Sequence, residues 1–129
     1  MSYYFNKTIS GKSFDEAIDL TKAELQKEGF GVLTEIDIKQ TLKNKLDVDF
    51  KKYTILGACN PNFAHKALQA EDKIGVFLPC NVIVEEHDNG EVEVSAVDPI
   101  ASMISVENDS LGGVAIEVQE KLKRVISNL

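Results

Sequence analysis

A chain of 129 residues with 43% hydrophobic and 27% charged side chains has the length and composition of one globular domain, residues 1–129. Its 21 acidic and 14 basic residues leave a net charge of −7, which repels phosphate backbones and anionic lipid and so argues against nucleic acid and membrane surfaces as partners. No apolar run approaches the ~18 residues of a membrane span and no basic-then-apolar leader opens the chain, so the two cysteines are expected as free thiols in a cytoplasmic protein.

Residues 2–9 alternate weakly around Tyr3, Tyr4, Phe5 and Ile9 and read as a first strand. Ser13 and Glu16 form a capping box ahead of Phe14, Ala17, Ile18, Thr21 and Leu25, an amphipathic helix that Gly29 ends. Phe30 to Ile36 reads as a strand, followed by a short exposed helix opened by Asp37 and Gln40 and striped by Ile38, Leu42 and Leu46.

Tyr53 to Cys59 is an apolar run of strand length, stopped by Asn60-Pro61. Asn as N-cap and Pro at the first helical position predict a helix from Pro61, with Ala64, Ala67 and Leu68 inward. Val76 to His87 reads as one long strand interrupted by Pro79, which places it on an edge or at a bulge. Asp88-Asn89-Gly90 turns the chain into Glu91 to Val97. A three-residue loop, with Gly90 left-handed, pairs Val84 with Val94 and Val82 with Ala96 and puts the valines on one face. Ile100 to Val106 is a helical turn or a loop. A last helix from Asp109 or Ser110 carries Leu111, Val114, Val118, Leu122, Val125 and Leu129. The order β-α-β-α-β-α-β-β-α with a closing hairpin defines an α+β, two-layer fold, its sheet partly antiparallel and its helices on one face.

Chemistry, if present, concentrates between Tyr53 and Val84. Cys59 precedes a helix N-terminus, where thiols become better nucleophiles and better metal ligands; the alternative is a small residue closing a core strand. Cys80 and Asn81 follow Pro79, which either aims them at a pocket or only protects an edge. The two cysteines lie too far apart in sequence for a CxxC motif, and no zinc spacing is present. A soft-metal set of Cys59, Cys80, His65 and Met103 requires the fold to gather them, which no spacing demands, so no metal ligands are assigned. Asp98 either joins a polar site or caps the next turn. No GxSxG, phosphate-binding loop or dinucleotide fingerprint occurs, and the sequence leaves any cofactor unknown.

Gly57-Ala58-Cys59-Asn60-Pro61, Leu78-Pro79-Cys80-Asn81-Val82, Asp98-Pro99 and Met103 together resemble the domain of unknown function 302 family. The resemblance implies a small α+β homodimer and no particular reaction. It implies further that Cys59, Asn60, Cys80, Asn81, Asp98 and Met103 border one site. Three functions stay open: a small-ligand or soft-metal binding module with a Cys/Asn-lined pocket, a thiol enzyme or sulfur carrier using Cys59 or Cys80, and a purely structural or interaction domain.

Overall fold

The computed structural model describes residues 2–129. Five strands form one sheet, β1 (Tyr4–Ile9), β2 (Gly31–Asp37), β3 (Tyr53–Cys59), β4 (Cys80–Glu86) and β5 (Val92–Val97), in the spatial order β1-β5-β4-β3-β2. Every pairing is antiparallel. The helices are α1 (Phe14–Lys27), α2 (Ile38–Leu46), α3 (Pro61–Ala70), the single turn α4 (Pro99–Ser102) and α5 (Gly112–Ser127). The expected α+β class and element order hold, with 3-10 turns at Asp72–Phe77 and Asp109–Leu111 added.

Alternation along the central strands builds the core. Val82, Val84, Val92, Val94 and Ala96 share one face with Leu56 and Ala58, and all are buried. α1 turns Ala17, Ile18, Thr21 and Leu25 onto this face, and α5 turns Val118, Leu122, Val125 and Ile126 onto it. Each such valine or leucine, fully buried, contributes about 1.5–3 kcal/mol relative to exposure. The other sheet face carries Tyr53, Asn81, Ile83, Glu85, Glu93, Ser95 and Val97.

Local signals hold where they act through the backbone. Ser13 and Glu16 close both arms of the capping box, at 3.1 and 3.0 Å. Gly29, at φ +86°, ends α1 in a Schellman arrangement: the Phe30 N–H donates to the Leu25 carbonyl and the Gly29 N–H to that of Gln26. The hairpin takes the expected register, Val82 with Ala96 and Val84 with Val94, with Gly90 left-handed at φ +85°.

Two expectations are corrected. Val76 to His87 is not one interrupted strand, because residues up to Phe77 coil into the 3-10 turn that buries Ile74 against Ala67 and Leu111. Pro79 therefore lies ahead of β4, after a cis Leu78–Pro79 bond, where it removes no ladder hydrogen bond. β4 is an interior strand between β3 and β5, not an edge. The irregularity lies in β2, where the register shifts between Val32 and Thr34 and leaves Leu33 exposed.

Candidate functional site

The main core and the smaller cluster of Ala67, Ile74 and Leu111 do not close on each other completely. Between them lies a cavity of about 300 Å³. Its walls come from the ends of β3 and β4 (Ala58, Cys59, Cys80), from α3 (Phe63, Ala64, Ala67) and from α5 (Val114, Ala115, Val118). Leu33, Leu78, Pro79 and Met103 are among the further apolar lining residues, and Asn60 is the one polar side chain in it apart from the thiols.

Of the six residues drawn from the sequence, four meet here: Cys59, Asn60, Cys80 and Met103. Cys80 pairs across the ladder with Ala58, so it points toward the core and is buried. Burial pushes its thiol up to about 11, and the neighbouring Cys59 adds to the shift. Cys59 ends β3 at intermediate exposure, one residue before the N-cap of α3. Its place at a helix N-terminus is as the sequence indicates.

Asn60 holds the N-cap position without capping by its side chain. Its Nδ2 instead donates to the Glu28 carbonyl at 3.2 Å, tying the start of α3 to the end of α1. Asn81 does not join the cavity. It pairs with Gly57 and lies on the opposite sheet face, in a shallow depression with Tyr53, Ile83 and Glu85. Asp98 caps α4, its Oδ1 accepting from the Ile100 N–H and from Gln119 Nε2 at 3.0 and 3.1 Å, and it is not part of the lining. His65 is exposed on α3 and outside the lining, so the soft-metal set of Cys59, Cys80, His65 and Met103 is not assembled.

The expected polar, Cys/Asn-lined pocket is thus an apolar one. The sequence pointed to Val114 and Val118 only as members of a core stripe, and no signal marked Phe63 or Leu33 as lining residues. Phe63 carries the electrostatic character of the site: Lys66 Nζ and Lys121 Nζ stand 5.5 and 5.9 Å from its ring centroid. What such a site can do is enclose an apolar body beside two thiols, with ammonium groups close to one wall.

An antiparallel five-stranded sheet, layered with helices that enclose an apolar cavity, defines the class: a two-layer α+β domain. The family model described as "Domain of unknown function DUF302" matches residues 5–129, and the chain belongs to that family. The chain is similar to the crystal structure of an uncharacterized conserved DUF302 protein from Bacillus stearothermophilus, at 25% identity and a TM-score of 0.90, covering 98% of each chain. It is also 23% identical over 94 residues to an uncharacterized protein of Aquifex aeolicus, covering 73% of this chain. The match takes in only 59% of that relative's length.

Proposed function

We propose that the domain is a small-molecule binding module whose ligand is an apolar or amphipathic molecule held in the cavity between α3, α5 and the ends of β3 and β4. The observation that carries this reading is the cavity itself, about 300 Å³, at the lower end of the ~300–1,000 Å³ range of small-ligand sites. Every buried side-chain nitrogen or oxygen among the described residues has a hydrogen-bond partner, so a ligand meets no unmet polar demand inside. Lys66 and Lys121 beside Phe63 favour a carboxylate at the ligand's outer end.

Two features weigh against a thiol enzyme based on Cys80. Its thiol, pushed up to about 11, leaves roughly one part in ten thousand as thiolate at pH 7, and what acts on it is burial and the neighbouring Cys59, not a base. Cys59 at the cavity wall remains the position from which thiol chemistry on a bound molecule would start.

The test is titration of the full chain with octanoate and with 1-octanol, followed by backbone amide NMR. Saturable shifts at Phe63, Ala67, Cys80 and Val118 are expected, with octanoate binding more tightly and losing its advantage in salt. Ala67→Phe and Ala115→Leu, each filling the space, should abolish binding. If neither compound shifts these residues at millimolar concentration, the domain is structural and the cavity a packing gap. We extend the proposal to a cytoplasmic homodimer. The exposed Tyr4 and Ile36 on the two edge strands support the pairing of two chains, and light scattering after gel filtration tests it.

A further inference from the structure

The β4–β5 hairpin carries a second arrangement, away from the cavity. Its register sets Glu85 directly opposite Glu93, on the face turned from α1 and α5. Two carboxylates facing across a ladder repel each other, and here both are mostly buried, with side chains 13% and 18% exposed. His87 follows Glu85 by two residues and brings Nε2 to 2.7 Å from Glu93 Oε1. One ligand atom from each of Glu85, His87 and Glu93 lies within 4.8 Å of the other two. Among the described residues no other trio of His, Cys, Asp or Glu does so.

We propose that Glu85, His87 and Glu93 form a binding site for a first-row transition-metal dication, of which Zn(II) is the probe. One imidazole and two carboxylates supply three ligands and leave the remaining positions to water, the pattern of open rather than structural zinc sites. The pleat brings these ligands together: residues i and i+2 along one chain and the residue opposite on its neighbour all share a face. β4 and β5 are interior strands, so two of the three ligands stand on the most constrained backbone in the sheet. At metal–ligand distances of ~2.0–2.2 Å the donor atoms must close to roughly 3–3.5 Å, a change within reach of side-chain rotation.

The surroundings fit an ion as well. Asn6 Nδ2 donates to Glu93 Oε2 at 2.6 Å, which fixes that carboxylate while leaving Oε1 turned to the centre. Glu85 and Glu93 line a depression of about 450 Å³ that gives access to water or a further ligand. Lys51 places its ammonium 2.6 Å from Glu85 Oε1 and is the resident competitor for the same charge. Removing this lysine is therefore expected to strengthen cation binding.

The experiment is calorimetric titration of the full chain with Zn(II), paired with Co(II) absorption spectra. One equivalent per chain is expected. His87→Ala and Glu93→Gln should each weaken binding by about tenfold or more, and Lys51→Met should tighten it. Octanoate binding at the cavity should be unchanged in all three variants, which separates this site from the other. The proposal fails if His87→Ala leaves Zn(II) affinity intact, if Cys59→Ser or Cys80→Ser removes it, or if Ca(II) competes equally, as a diffuse acidic surface would allow.

Discussion

At the scale of single residues the two cysteines divide sharply. Cys80 is buried against the core, which pushes its thiol up to about 11, whereas Cys59 stands half-buried at the cavity wall. Iodoacetamide at pH 8 should therefore modify Cys59 first, and Cys80 only after unfolding, as read by peptide mass spectrometry. The same burial has a consequence for stability. A thiol whose folded value lies above its unfolded one, from 9.0 to about 11, favours the folded state fully below pH 9 and loses that effect as pH rises toward 11. Urea midpoints should fall over that interval, and Cys80→Ala should flatten the fall. Asn60 shows how far the sequence speaks at this scale. Asn before Pro specifies an N-cap position, and that is where it sits, but only the folded chain places the Glu28 carbonyl within reach of its amide.

At the scale of elements, Gly57 is the most closely packed of the glycines. It pairs with Thr34 next to the β2 irregularity, and a Cβ there would press on the Thr34 hydroxyl and come within 2.9 Å of Pro79 Cγ. Gly57→Ala should cost about 1–3 kcal/mol in urea unfolding, as overpacking of a fixed core does. It should also disturb the cavity rim, since Leu33 and Pro79 both belong to it. The period-2 alternation that set the hairpin register was legible in the sequence. It also separates Cys80 from Asn81 and sets Glu85 against Glu93, although the paired Cys-Asn blocks drew attention to residue type instead of facing. The 3-10 turn at Asp72–Phe77 was not legible. Val76 and Phe77 are strand-like residues, and what coils them is the docking of Ile74 between Ala67 and Leu111, a contact between distant segments.

At the scale of the whole molecule, α1 and α5 are joined at their ends through Glu28. Arg124 donates to its Oε1 at 2.9 and 3.1 Å, with Lys121 at 3.9 Å, and the Arg124 hydrogen bond holds this carboxyl below the ordinary 4.5. A depressed carboxyl favours the folded state above the unfolded value and loses that effect as pH falls. The stability difference between the native chain and Arg124→Ala should thus be present at pH 7 and shrink below pH 4.5, when followed by thermal unfolding at low salt.

The strand order has a last implication, for how the chain is made. Of the five strands β1 is made first, yet its one partner among the described residues, β5, begins more than eighty residues later. At ~5–20 residues per second that interval is roughly 4–16 s. Through it Tyr4 and Phe5 lack their partner strand, while β2, β3, β4 and β5 follow one another and pair in order of emergence. Vectorial synthesis therefore builds this sheet from its β2 edge across to β5 and adds β1, the earliest of the five strands, last.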